Sequence, residues 1–477
     1  MEKLFKLKEN GSTVKTEIIA GLTTFMTMAY IIALNPNLLT GFGAEGQNLW
    51  NGVFLATCIA SAIGMFVMAF VANKPFAMAP GMGLNSFFAF VTTQIVSITG
   101  LSYVESFQTG LILILIEGVI FLILSVLNVR EKIVNAIPLG VRLGIGPAIG
   151  IMLMNIGFGS NAGIFSETNG FSAPFYAMRD FFGALTAGFA KENMGSGYGI
   201  MVLTVVTMLV GLFVIIILAQ KKIKASVIIG MLIASIIYWA GQAIFFHTNP
   251  FAALATASWV PPFKDMADVT LFKFNFSALP QIGWFTIITL VVTFCIIDMF
   301  DTIGTLVGTA AKANMLDEKG NMPKMKEALI ADSVGTVVGA CTGTSTVTTF
   351  IESASGVEAG GRTGLTALTT GIIFLLCMFI APIAAIIPAP ATSCALIYVG
   401  ILMLSGLKKI NFDDITQTAP VFIMLLAMPI SGSIGHGIGL ALITYTVLKL
   451  FSGKGKEVSA LTYILSLIFI VKFFLAV

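Results

Sequence analysis

Lys74-Pro75-Phe76-Ala77-Met78-Ala79-Pro80-Gly81-Met82-Gly83-Leu84-Asn85 lies inside a long apolar region, yet it reads poorly as a continuous helix. Pro80 lacks a backbone donor, and Gly81 and Gly83 loosen the turns beside it. A second stretch, Gly343-Thr344-Ser345-Thr346-Val347-Thr348-Thr349-Phe350-Ile351-Glu352, is equally unsuited, because its Thr/Ser/Val run favours extended backbone. Extended backbone at membrane depth is tolerated only where it lines a cavity, and paired breaks in two halves of a chain point to a binding site between them. Helices restarting at Asn85 and Glu352 would aim their N-terminal N–H groups into that cavity.

The surrounding chain is a membrane protein. Of its 477 residues 57% are hydrophobic and only 10% charged, against about a quarter charged in soluble domains, so a soluble globular protein is excluded. At roughly 20 residues per crossing, apolar runs fall near 17–40, 51–73, 77–97, 108–128, 137–159, 200–220 and 225–246. A second set falls near 284–310, 327–343, 345–358, 364–388, 392–407, 416–432 and 434–450. The reading is an all-α polytopic membrane protein of about fourteen segments, with the breaks in the third and the tenth.

Basic residues mark alternate connections: Lys3, Lys6, Lys8 and Lys15, then Lys74, Arg130 and Lys132, Lys221, Lys222 and Lys224, Lys312, Lys319, Lys324 and Lys326, and Lys408 and Lys409. By the positive-inside rule these face the cytoplasm, and the 41–50 and 160–170 stretches, which have no Lys or Arg, face outward. Seven crossings per half oblige the second half to begin on the opposite side, which makes the halves inverted repeats. Ile137-Pro138 and Ile149-Gly150-Ile151-Met152-Leu153 recur as Ile387-Pro388 and Val399-Gly400-Ile401-Leu402-Met403, 250 residues on (137 to 387, 149 to 399). The expected division is a cytoplasmic tail (1–16), a first repeat (17–250), an extracellular connection (251–283), a second repeat (284–452) and a C-terminal apolar segment (453–477) that either crosses or lies at the interface. The N-terminal stretch is charged for too long to be a secretory signal and has no small-residue cleavage site before the first apolar run.

Few ionisable side chains lie at depth, where each costs several kcal/mol and is a functional hypothesis by default. Asp298 and Asp301 are three apart and share a helical face. Neighbouring carboxyls resist ionising together, which suits a proton carrier. Glu352 stands at the second break. Glu117 is also deep, and is either a helix-packing hydrogen bond or a functional group. Asp332 reads as a solvated or capping residue near the cytoplasmic end of its span, and Glu358 and Arg362 as an ion pair. The formal charge of +3 indicates no nucleic acid. The five cysteines lack a CxxC and His247 and His436 are far apart, so neither disulfides nor a metal site is expected.

As a set, four motifs resemble the adenine/guanine/hypoxanthine permeases, the Azg-like branch of the nucleobase-cation symporter-2 (nucleobase-ascorbate transporter) superfamily. They are Asn73-Lys74-Pro75-Phe76-Ala77 through Asn85, Asp298-Met299-Phe300-Asp301-Thr302-Ile303-Gly304-Thr305-Leu306, Gly343 to Ser353, and Gly360-Gly361-Arg362-Thr363-Gly364-Leu365. The resemblance implies two inverted seven-segment repeats sorted into core and gate domains, with short antiparallel strands in segments three and ten. It also implies elevator-type alternating access, and often a homodimer through the gates. It places Asn85, Asp298 and Glu352 at purine-binding positions and Asp301 at the proton-coupling position.

The chemistry is compatible. Guanine offers adjacent N1–H and N2–H donors to a carboxylate, hypoxanthine keeps N1–H, and an amide can both donate to and accept from a purine edge. Phe25, Phe87 and Phe350 are candidates for stacking, worth roughly 1–3 kcal/mol per base. The expectation is a multi-pass transporter of the cytoplasmic membrane, not an enzyme, importing guanine or hypoxanthine, with adenine as a further candidate. Its coupling ion is the proton, it needs no cofactor, and its surroundings are lipid. The alternatives are another small solute or an anion on the same fold, and a passive channel.

Overall fold

The computed structural model describes residues 2–41, 45–127, 137–159, 198–255, 257–312, 315–317 and 322–474. Arg130, Lys132, the 160–170 connection and Lys319 lie outside the described residues. Among those described, eleven helices are long and apolar enough to cross a membrane, and Ile415–Ser431 and Ala460–Phe474 are shorter apolar helices.

The first apolar run is interrupted. Helix α1 (Val14–Met28) starts at Thr13, whose side chain accepts from Thr16 N–H, and two turn residues, Ala29 and Tyr30, separate it from α2 (Ile31–Leu39). Helix α3 (Gln47–Val67) passes through one π-helical turn, Met68–Ala72, and stops at Asn73, which takes a left-handed φ of 53°. From there the chain is extended into β1 (Met78–Pro80), and α4 (Met82–Thr99) follows at once. The restart therefore comes three residues before Asn85, since Gly81 is the cap and Asn85 already lies in the first turns. Helix α5 (Tyr103–Val126) opens on a capping box between Ser102 and Glu105, and α6 (Leu139–Phe158), α7 (Tyr198–Gln220) and α8 (Ser226–Phe246) follow among the described residues of this half.

In the second half, α9 (Phe263–Val269) precedes α10 (Trp284–Lys312) and α11 (Met325–Thr342). Gly343, at φ 110°, then turns the chain into β2 (Val347–Thr349) against Thr270, where a Cβ would collide. The short α12 (Ser353–Glu358) begins one residue after Glu352, and α13 (Gly364–Leu376), α14 (Ala389–Met403), α15 (Ile415–Ser431), α16 (Ile434–Phe451) and α17 (Ala460–Phe474) follow. The two breaks meet: β1 and β2 pair antiparallel, with Met78 opposite Thr349, Ala79 opposite Thr348 and Pro80 opposite Val347. Phe350 N–H donates to Ala77 O (2.9 Å) and Gly81 N–H to Thr346 O (3.1 Å), so the pairing continues past both strand ends. Each extended piece thus supplies the partner that an unwound backbone lacks in an apolar surrounding.

Two packing groups surround this ribbon. In one, α3 packs on α11 and α13, α5 on α11, and α1 on α12 and α13; in the other, α6 packs on α14 and α15, α15 on α16, and α7 on α8 and α14. Helix association between apolar neighbours in lipid relies on close approach rather than on expulsion of water, which explains the use of small residues at crossings. At the α6–α14 crossing, a Cβ added to Gly150 would stand 2.6 Å from Gly400 O, and one added to Gly400 would stand 2.5 Å from Gly150 O. These are the equivalent positions of the sequence recurrence. Gly150→Val should force the two helices apart at a cost of about 1–3 kcal/mol. The expected result is a lower melting midpoint of the detergent-purified protein, read by loss of the monodisperse chromatographic peak after heating.

The 251–283 stretch is more than a connection. Asp265 Oδ2 accepts from Asn51 (2.6 Å), Val269 O from Gln108 (2.9 Å), Asn275 O from Thr109 (2.9 Å), and Phe272 N–H donates to Cys341 O (2.7 Å). It clasps the ends of α3, α5 and α11, and Cys341 O is one of the terminal carbonyls that a helix cannot satisfy internally. Helix α17 lies antiparallel along α16: Thr446 and Ser466 hydroxyls are 2.8 Å apart, and the rings of His436 and Phe473, at opposite ends of their helices, are in edge contact at 5.5 Å.

Candidate functional site

A cavity of about 280 Å³ lies at the seam between the packing groups, near the lower end of small-molecule pockets, roughly 300–1,000 Å³. One wall is made by the breaks: Tyr30 from the α1–α2 turn, Gly81 to Gly83 from the β1–α4 junction, Asp301 from α10, and Thr349 to Glu352 from the end of β2. The facing wall comes from α6, between Arg142 and Ile149, and from α14 and the turn after it, between Val399 and Gly406. Gly81 has a local reason: a Cβ there would stand 3.2 Å from Asp301 Oδ2 and would press on Thr348, so only glycine admits both neighbours.

The expected site residues divide. Asp301 and Glu352 are half-buried and line the cavity, as does Phe350. Asn85 and Asp298 are fully buried and stand behind it. Asn85 accepts from the Ser345 hydroxyl and donates to Pro80 O (3.3 Å), so it fastens the ribbon. Of the other rings, Phe25 packs edge-on against Phe374 (5.7 Å) and Phe87 against Phe294 (4.6 Å), and neither lines the cavity.

Behind the cavity the second break is held by one polar side chain after another. Asn35 donates to the Thr344 hydroxyl (2.9 Å), Ser345 donates to Asn85, Thr346 donates to Glu117 Oε2 (2.6 Å), and the Thr348 hydroxyl meets that of Thr302 (2.7 Å). Glu117 therefore makes a hydrogen bond to the break itself, from the middle of α5. Asp332 is not the solvated residue its sequence position suggested. It is fully buried two turns into α11, and its Oδ1 lies 2.9 Å from the Thr302 hydroxyl of α10.

Thr302 contacts Asp298 Oδ1 (2.9 Å), Asp332 Oδ1 (2.9 Å) and Thr348 Oγ1 (2.7 Å). A hydroxyl has one hydrogen to give and two lone pairs to receive. With its one hydrogen given to any of the three, the other two partners must donate to Thr302, so all three contacts are hydrogen bonds only when at least one of the two carboxyls is protonated. The cluster thus has a place for at least one proton on Asp298 or Asp332.

The glycine-rich Gly360 to Leu365 motif is also anchored. Buried Glu17 accepts from Arg362 N–H (2.9 Å) and the Thr366 hydroxyl (2.5 Å), while the Arg362 guanidinium donates to Val357 O and Gly361 O, both at 2.7 Å. Asn73 accepts from Gly364 N–H (2.8 Å) and donates to Phe5 O (3.0 Å), which docks the N-terminal residues with Phe5 and Leu7 buried.

Tyr30, Arg142, Thr302 and the α14 wall escaped the sequence reading. Spacing carried a signal for Thr302, four residues after Asp298. Arg142 is a lone cation inside an apolar run, and Tyr30 is a phenol that needs a partner when buried. The α14 wall carried none, being apolar throughout.

Comparison with known proteins agrees with the motif reading. The sequence pattern of the Permease family matches residues 15–187 and 178–439. Adenine permease AdeP of Escherichia coli (strain K12) is 36% identical over 472 residues, covering 99% of this chain and 95% of that protein. Guanine/hypoxanthine permease PbuO of Bacillus subtilis (strain 168) is 35% identical over 477 residues, covering 99% and 100%. Among solved structures, the transmembrane domain of the cyanobacterial bicarbonate transporter BicA superposes with a TM-score of 0.61 at 14% identity, over 88% of this chain and 97% of that one, a likeness of fold alone. With its paired breaks, its carboxyl-lined cavity and full-length relatives of this similarity, the chain belongs to the Permease family, a transporter and not an enzyme.

Proposed function

We propose that the protein carries purine nucleobases across the cytoplasmic membrane together with protons. The observation that carries this reading is the meeting of Asp301, Glu352 and Phe350 in one cavity at the junction of the two breaks. A carboxylate presents acceptors to the N1–H edge of a 6-oxopurine, a ring offers a stacking face, and a second carboxyl beside them can take a proton. Asn85 and Asp298 contribute from behind the cavity wall by holding the ribbon and the carboxyl network. The relatives named for adenine, guanine and hypoxanthine support the class of substrate.

The groups that read the base come from the ribbon and from α10, which packs on β2 and α5, and the facing wall comes from α6 and α14 of the other group. That division supports a core that carries the site along a gate, and the abutting glycines at 150 and 400 support an inverted repeat. The far wall ends at Arg142 and at Gly406, the latter two residues from Lys408 in the connection that charge assigns to the cytoplasm. An anion on the same fold would want a net positive cavity, and the two carboxyls lining this one oppose it.

The test is uptake of radiolabelled hypoxanthine by cells expressing the protein, with unlabelled bases as competitors. Concentrative uptake, competition by guanine or adenine, and collapse by a protonophore are expected. Equilibration without accumulation would favour a channel, and indifference to every purine would remove the substrate class.

A further inference from the structure

Tyr30 stands at the turn between α1 and α2, 2% exposed, with its ring on the cavity wall. Its hydroxyl donates to Glu352 Oε1 at 2.7 Å. The chain brings these two residues together from opposite halves, and the contact ties the first segment to the residue that ends the second break. A carboxylate has two oxygens and accepts on either. Held by Tyr30 at Oε1, Glu352 cannot rotate freely, and its other oxygen, Oε2, has lone pairs to offer a ligand.

We propose that Tyr30 is a positioning residue that sets base selectivity: by holding Glu352 Oε1 it presents Oε2 to the cavity as a fixed acceptor, matched to the N1–H donor of a 6-oxopurine. This rests on the purine reading above. A 6-aminopurine has an acceptor at N1 and gains nothing from that oxygen. A site built to hydrogen-bond one group discriminates strongly against an analogue lacking it, because its own polar atom is then left without a partner. The selectivity resides in the orientation of a shared carboxyl.

Tyr30→Phe keeps the ring and removes only the hydroxyl, so cavity shape is retained. The experiment measures equilibrium binding of hypoxanthine and of adenine to purified wild-type protein and to Tyr30→Phe, with thermal unfolding in detergent as the folding control. A hydrogen bond to a charged group supports an effect of about ten-fold or more. Hypoxanthine affinity should fall on the order of ten-fold while adenine affinity changes by less than about two-fold, so that the ratio between the bases collapses. A merely structural role would weaken both bases alike and leave the ratio unchanged, and that result, or unaltered binding of both, would overturn the assignment. If wild-type protein binds neither base, the purine reading fails and the assignment with it. Wild-type binding with an unchanged ratio in Tyr30→Phe overturns the Tyr30 assignment alone.

Discussion

Glu352→Gln is expected to lower affinity for guanine and hypoxanthine by about two orders of magnitude, while the protein still reaches the membrane and elutes as a single species. The carboxylate offers acceptors on both oxygens, whereas an amide keeps one acceptor and turns the other position into a donor. Tyr30 sharpens the effect. Its hydroxyl needs an acceptor, so the carbonyl oxygen of the new amide is drawn to it, and the NH2 group is left facing the N1–H of the base. Two donors then oppose each other where a charge-assisted hydrogen bond stood, and each such bond is worth roughly 1.5–3 kcal/mol. Equilibrium binding to purified protein checks the loss, and unchanged affinity for both bases would remove Glu352 from the binding site.

Asp301→Asn is expected to uncouple transport from the proton gradient. Asp301 lies on the cavity wall, one turn from Asp298, and its carboxyl is close to both the Gly81 junction and the site for the base. If its protonated form permits the loaded site to cross and its charged form opposes the empty crossing, the amide imitates the permissive state permanently. Binding and base exchange should persist in reconstituted vesicles. Accumulation driven by an inward pH gradient should fall to equilibration, where one pH unit otherwise supports up to about ten-fold accumulation for each coupled proton. Persistent gradient-driven accumulation in Asp301→Asn would transfer the role to the Asp298–Thr302–Asp332 cluster, whose hydrogen count also has a place for a proton.

Much of this arrangement was legible in the residue order. Pro80 with its flanking glycines and the Thr/Ser/Val run announced two breaks because backbone preference and helix disruption are local properties. The spacing of Asp298 and Asp301 announced a polar face inside an apolar helix for the same reason. The recurrence around Gly150 and Gly400 was visible as text, but its meaning as a crossing was not. The depth of Asp332 is not legible in the sequence, since distance from a basic loop along the chain does not measure burial against α10. Phe25 and Phe87 looked as suitable as Phe350, because a phenylalanine in an apolar helix carries no mark of which face meets a cavity.

The sequence by itself determined the solvent this protein lives in, the places where its helices must break, and the few residues whose charge demands a function in an apolar surrounding. Those follow from transfer energetics and backbone stereochemistry, which act residue by residue. Only the tertiary structure decided that β1 pairs with β2, that Asp301 and Glu352 face the cavity while Asn85 and Asp298 support it from behind, and that Tyr30 reaches Glu352 from the other half of the chain. Strand register, side-chain facing and hydrogen-bond partnership depend on contacts between segments hundreds of residues apart, and no local preference encodes which of many polar side chains will be brought within three ångströms of another.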